Sequence, residues 1–423
     1  MWATNLRAPS ALALTRSFLL VTPLSTACAG GDFSDSESSQ ECCEVSVSAT
    51  VPEGTGTLYL SGNIPELGPW NPAGLAMEGD GIHRSARLTV PPGTELEYKF
   101  TLGTWDRVAL GPSGMVMPNH RLPVDGDVEA THEIGDFRKD IEAYMADWKG
   151  SGVLGTLVYW YDFPSEILGL DRHVEIWLPP GYDQNPERRY PVLYMSDGQN
   201  LFDPRIANTG VDWGVDEAVM RLVEGGVIPP VIVVGAWSTD ARGREYSPWH
   251  GAPDYARFLI EELMPRVDRE FRTLPGPENT SVMGSSMGGL LSFYLVTNHP
   301  DVFGSCGCES THFALSESIV ERYLRGVEAS ANPDTVPFVV RDIEAGLEPP
   351  ARVRYFFAYG TRGLDADYGP PHEIVREWLV AQGRIEGTDF VVREYEGADH
   401  NEASWRARID DDLAFMFGRN ESE

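Results

Sequence analysis

The stretch Thr280-Ser281-Val282-Met283 reads as a short strand. It runs without a spacer into Gly284-Ser285-Ser286-Met287-Gly288-Gly289 and then into an apolar helix over Leu290–Thr297. A strand that turns into a helix this abruptly needs a tight, strained backbone. Glycine at positions 284 and 288 removes side chains that would clash there. Ser286, between them, has its hydroxyl held out of the sheet at the start of a helix, where free N–H groups and the helix dipole favour a developing anion. Ser285 stands at an intervening position and is not the nucleophile.

The surrounding pattern supplies the sheet that this turn requires. From Gly155 onward strands alternate with helical stretches: Leu157–Phe163, His173–Leu178, Pro191–Ser196, Val231–Ala236, Thr280–Gly284, Gly304–Glu309, Arg352–Tyr359 and Phe390–Tyr395. The clearest helical pattern is Asp254–Phe271, where Tyr255, Leu259, Leu263 and Val267 recur every four residues. Alternation of this kind predicts a three-layer α/β sandwich with a mostly parallel sheet, whose ligands bind at the carboxyl ends of the strands. Before it, Val45–Val51, Thr57–Leu60, His83–Val90 and Glu95–Leu102 alternate apolar and polar residues between Gly/Pro/Asn turns, which predicts a small all-β sandwich.

A serine nucleophile needs a base, and an imidazole takes and returns a proton near neutral pH. His400 follows the last strand in Gly397-Ala398-Asp399-His400-Asn401-Glu402. An acid that fixes its tautomer belongs after the preceding strand, where Asp365 and Asp367 both stand. Asp365 is the choice, and the other is then a solvated loop carboxylate. Asp399 adjoins His400 but reaches its ring poorly. The oxyanion needs two backbone N–H groups. Met287 supplies one. The loop after Pro191–Ser196, Asp197-Gly198-Gln199-Asn200-Leu201-Phe202, supplies the other, from Gln199 with Gly198 next in line. Trp237, Tyr246, Trp249, Arg242 and Arg244 follow Val231–Ala236; loop packing and solvated charge account for them slightly better than a substrate pocket does.

From about Gly155 to Phe417 the chain resembles the esterase family that includes esterase D, feruloyl esterases and enterochelin esterases. The matching residues are Leu178-Pro179-Pro180-Gly181-Tyr182, Tyr190–Tyr194 with Asp197–Phe202, the Gly284–Gly289 turn, and His400-Asn401-Glu402 with Trp405 and Arg408. The resemblance implies an α/β-hydrolase fold and ester hydrolysis by Ser286, His400 and an acid near Asp365. It departs at the acid, where Arg362-Gly363-Leu364 intervenes after the Gly-Thr step. The first domain resembles a family-20 starch-binding module through Gly62–Pro72, Leu96–Phe100 and Pro118–Leu122. That resemblance implies sugar stacking on Trp70, with a core role about equally expected for it. Gly111–Met117, where the family carries a second tryptophan, holds no aromatic residue, and Trp105 is off register.

The expected organisation is therefore an export segment (1–28), an acidic tether (29–44), the β-sandwich (45–137), a connector (138–152) and the α/β domain (153–418). Arg7 and Arg16 before a short apolar run, with Cys28 after small residues, have the form of a lipoprotein-type signal, so the protein is expected to be exported, with a lipid anchor at Cys28 or by ordinary secretion. With 33 Lys+Arg against 64 Asp+Glu, the net charge of −31 repels phosphate backbones and disfavours nucleic acid as a partner. No later stretch is apolar over the roughly 20 residues a membrane span needs. The four remaining cysteines lack zinc-site spacing, and Cys306 and Cys308 read as small buried residues on one strand face. No metal or cofactor is implied. The expected substrate is a small ester, a siderophore-like ester, or an acylated or feruloylated carbohydrate, with a starch- or glycogen-like polysaccharide as a partner. The alternatives are an acyltransferase with the same triad, and a non-catalytic surface carbohydrate-binding protein.

Overall fold

The computed structural model describes residues 42–68, 70–138, 152–316, 319 and 336–418. The export segment with Cys28, nearly all of the tether and most of the connector lie outside the described residues. The β-domain comprises β1 (Cys43–Thr50), β2 (Tyr59–Gly62), β3 (Leu75–Ala76), β4 (His83–Val90), β5 (Thr94–Thr101), β6 (Ala109–Leu110), β7 (His120–Val124), β8 (Val128–Glu133) and β9 (Asp136–Phe137). They form sheets of order β4-β1-β8, β3-β2-β5-β7 and β6-β9. The first strand starts at Cys43, two residues before the expected Val45, because Cys43 is buried and pairs with Val90. In β4, Arg84, Ala86, Leu88 and Val90 point inward and alternate with exposed residues, as a half-buried strand requires. Cys43, Cys306 and Cys308 are free and buried.

The second domain is one eight-stranded sheet, order β10-β11-β13-β12-β14-β15-β16-β17. Its strands are β10 (Thr156–Phe163), β11 (Arg172–Leu178), β12 (Val192–Ser196), β13 (Ile232–Ala236), β14 (Thr280–Ser285), β15 (Ser305–Glu309), β16 (Arg354–Gly360) and β17 (Phe390–Tyr395). The six from β13 to β17 are parallel, while β11 pairs antiparallel with both β10 and β13. Strand order reverses about β12, which lies between β13 and β14. The carboxyl ends of β12 and β14 therefore open the crevice in which ligands of such sheets sit. β12, β13, β14 and β15 are buried along their whole length, which explains their apolar and small residues on both faces.

The helix Met287–Asn298 is apolar all round because it is enclosed; Leu290, Leu291, Leu295 and Val296 are all buried. Each such side chain contributes about 1.5–3 kcal/mol by leaving water. The predicted continuous helix Asp254–Phe271 is interrupted. It runs as Ala252–Arg257, a π-helical Phe258–Leu263, and Met264–Glu270. Pro265 has no N–H for the carbonyl four residues earlier, and its ring clashes with that carbonyl, so the ladder widens ahead of it. No described helix is long and apolar enough to cross a membrane.

The two domains touch beside the carboxyl ends of the parallel strands. Arg121 of β7 pairs with Asp399 (Nη1–Oδ2 2.7 Å), Arg138 donates to the carbonyls of Ile206 (2.8 Å) and Trp105 (2.6 Å), and the Trp105 amide meets Asp240 (3.4 Å). Trp105 packs with Val108, Leu110 and Val116. It belongs to this junction. Lys99 is buried and donates to the Met117 carbonyl; burial, then the charge of Arg138, pulls its ammonium down to about 7.

Candidate active site

Ser286 occupies a sharp turn between β14 and the helix Met287–Asn298, with φ 60° and ψ −121°. That left-handed conformation is costly for a residue with a side chain, and the packing around it holds it in place. A Cβ on Gly284 or Gly288 would lie 2.1 or 2.2 Å from Ser196 Oγ, so the end of β12 closes on the turn only because both are glycine. The Ser286 amide donates to the Glu309 carbonyl on β15 (2.8 Å).

His400 and Asp365 meet behind this turn. His400 Nδ1 lies 2.6 Å from Asp365 Oδ1. Asp365 Oδ2 accepts from the Gly360 amide (2.7 Å) and the Ser310 hydroxyl (2.6 Å). Ser310 is fixed in turn by Trp405 Nε1 (2.9 Å) and Arg408 Nη2 (2.9 Å), while Arg408 Nε donates to Glu309 (2.6 Å). Asp365 is 1% exposed, whereas Asp367 faces solvent. Burial alone would raise the Asp365 carboxyl. The hydrogen bond and charge of His400, with Ser310 and Gly360, outweigh it and hold the group below its usual range.

The Ser286 hydroxyl itself meets a different imidazole. Its Oγ lies 2.8 Å from His312 Nε2, and His312 Nδ1 is hydrogen-bonded to the Tyr368 phenol. The His312 and His400 rings are nearly parallel, 9° apart with centroids at 5.5 Å. Burial, then the charges of His400 and Arg242, push His312 well below the normal histidine range, so its ring is neutral. Sequence reasoning passed over His312. Its signal was position: Glu309-Ser310-Thr311-His312 leaves the carboxyl end of β15, the strand beside β14.

Gln199 lies in the short helix Gly198–Asn200, just past β12. Its side chain is tied in both directions to Ser238, with Nε2 to Oγ at 2.7 Å and Oε1 to the amide at 3.1 Å. Among the described residues the backbone N–H groups of Gln199 and Met287 donate to no acceptor. Asp197, also left-handed at φ 57°, anchors this loop through a two-pronged pair with Arg242 (both contacts 2.7 Å). Arg242 is thereby committed to the loop, while Trp237 and Tyr246 are buried. Trp70 stands partly buried in the turn after Pro65–Leu67, with φ 52°. Asp212, Asp216 and Glu217 lie close enough to hold a cation. However, Arg406 already binds Asp212 (2.7 Å) and Glu217 (2.9 Å), and Asp216 accepts the Leu154 amide (2.7 Å).

Residues 165–416 match the Esterase family, described as "Putative esterase". The chain belongs to this family. Residues 43–111 match the starch binding domain family. The endo-1,4-beta-xylanase/feruloyl esterase of Xylanibacter ruminicola is 26% identical over 279 residues, 57% of this chain and 36% of that protein. The ferri-bacillibactin esterase BesA of Bacillus subtilis is 28% identical over 161 residues, 32% of this chain and 50% of that protein. The chain thus spans less than two thirds of these curated relatives. A solved ferulic acid esterase is 21% identical with a TM-score of 0.48, covering 63% of this chain and 98% of that one. The enterobactin esterase FES of Shigella flexneri is 13% identical with a TM-score of 0.49, covering 88% and 92%.

Proposed function

We propose that this member of the esterase family is an exported carboxylic ester hydrolase that works through an acyl-enzyme on Ser286. The observation that carries the reading is the strained Ser286 turn, set beside a His400 imidazole that is hydrogen-bonded to a buried carboxylate. Of the two imidazoles near Ser286, His400 is the base. His400 Nδ1 is hydrogen-bonded to the Asp365 carboxylate at 2.6 Å, whereas His312 Nδ1 is bonded to the phenol of Tyr368, and burial with the charges of His400 and Arg242 outweighs the more distant pull of Asp365 on that ring. The Ser286 hydroxyl therefore turns from His312 to His400 as the ester binds. Oγ attacks the carbonyl carbon and its proton passes to His400 Nε2. The tetrahedral oxyanion rests on the N–H groups of Met287 and Gln199. The alcohol leaves with the proton from His400, and water then repeats the sequence on the acyl-enzyme.

The substrate in this reading is an acylated or feruloylated carbohydrate. The similarity to a protein named as a feruloyl esterase and the appended starch-binding family domain with Trp70 support it. The test is hydrolysis of p-nitrophenyl acetate and of methyl ferulate, alongside Ser286→Ala and labelling by a fluorophosphonate. Turnover and labelling that both vanish in the variant are expected. A folded protein that neither turns over these esters nor takes the label would overturn the reading.

A further inference from the structure

We propose that His312 holds the water that deacylates the enzyme; this rests on the acyl-enzyme reading above. Ser286 Oγ lies 2.8 Å from His312 Nε2 and is the donor of that bond when the ring hydrogen is on Nδ1, the tautomer on which the proposal stands. A neutral ring with a bare Nε2 carries its hydrogen on Nδ1 and donates it to the Tyr368 oxygen, with which that atom is paired. Tyr368 is itself seated, since its carbonyl accepts His372 Nδ1 at 2.7 Å and its side chain is 2% exposed.

Acylation changes what His312 faces. Once Oγ is bonded to the acyl carbon it has no hydrogen, and the Nε2 lone pair points at an ester oxygen that cannot donate. The group that restores the hydrogen bond must bring its own O–H, and water is the donor at hand. A water bonded to His312 Nε2 lies beside the acyl carbon, and the parallel His400 ring, 5.5 Å from that of His312, stands ready for its other hydrogen. In the step itself the water oxygen bonds to the acyl carbon and one water proton passes to His400 Nε2. The other stays on the new carboxyl, hydrogen-bonded to His312. Oγ then leaves and takes the proton back from His400. His312 never gains a charge, in keeping with its partly buried ring, whose two nitrogens are bonded to the neutral hydroxyls of Ser286 and Tyr368 rather than to a carboxylate.

This makes His312 a positioning residue for one half of the cycle. His312→Phe removes the acceptor while filling the space. With p-nitrophenyl acetate in a rapid-mixing instrument, the variant is expected to release a burst of p-nitrophenol close to one equivalent at about the wild-type rate. Steady turnover should fall on the order of a hundredfold, as loss of one positioning contact can cost, and acetyl-enzyme should accumulate in the intact mass. His312→Gln, which keeps an acceptor, is expected to recover part of the turnover. Fluorophosphonate labelling at the wild-type rate in the Phe variant shows that the fold and nucleophile persist. If burst and turnover fall together, or neither changes, the water-holding role is wrong. If wild-type Ser286 forms no acetyl-enzyme at all, the ester-hydrolase reading fails first and this role fails with it.

Discussion

Asp365→Asn is the sharpest single test of the proposed triad, because the structure dictates how the new amide must sit. Two donors converge on Asp365 Oδ2. One is the Gly360 amide. The other is the Ser310 hydroxyl, whose oxygen already accepts from Trp405 and Arg408 and which therefore must direct its hydrogen outward. An asparagine has to meet these donors with its oxygen, which leaves its NH2 facing His400 Nδ1. His400 is then forced to carry its hydrogen on Nε2, the atom that should take the Ser286 proton. A base locked in the wrong tautomer costs about 10⁴ in kcat, or about 5.5 kcal/mol of transition-state stabilisation. The assay is kcat for p-nitrophenyl acetate near neutral pH, with thermal unfolding to show that the buried network survives. A loss of less than about tenfold in a folded variant would refute the reasoning and leave Ser286 and His400 working as a pair.

Gly288→Ala should lower kcat/KM at least tenfold, because its Cβ would meet Ser196 Oγ at 2.2 Å; adding Ser196→Ala, after which the nearest atom left is at 3.3 Å, should restore most of it. No recovery in the double variant would show that the close approach of β12 is not the constraint. His372 is fully buried, and burial lowers it to about 4 against about 6.5 unfolded, so its stability contribution is complete above pH 6.5 and is lost as pH falls toward 4. That loss is about 3 kcal/mol. Thermal melts of His372→Phe between pH 7 and pH 4.5 should fall less steeply than those of the native chain; equal slopes would show that His372 is not the titrating group.

Much of this architecture is legible in the sequence because it is local. The strand, glycine-flanked serine and helix at 280–297 follow one another, and the eight strands of the second domain lie within a residue or two of their apolar runs. Among the differences, which include β2 and the short strands of the first domain, two have plain local reasons. The helix around Phe258 hides its π-turn because Pro265 sits inside an otherwise regular apolar period, and β1 starts earlier because a buried cysteine reads like a linker residue. The candidate site divides differently. His400 and Asp365 could be found by chain order after the last two strands, and they meet at 2.6 Å. His312 carries only the weaker signal of following β15, and the Arg242–Asp197 pair carries none, because each depends on loops from neighbouring strands converging in space. In sequence His312 is one more loop histidine, and only the adjacency of β14 and β15 brings it against Ser286.

The contact between Arg121 and Asp399 has a thermodynamic consequence. Asp399 precedes His400 in the chain, and its Oδ1 accepts the His400 amide at 2.8 Å, so one carboxylate joins the β-domain to the histidine loop. Any ligand of the β-domain that draws Arg121 away alters that loop's energy. By reciprocity of linked equilibria, whatever reshapes the loop alters the β-domain's affinity by the same factor. A β-domain ligand that displaced Arg121 and a ligand that reshaped the histidine loop would thus report one coupling constant from its two ends, and cutting the domains apart would erase it.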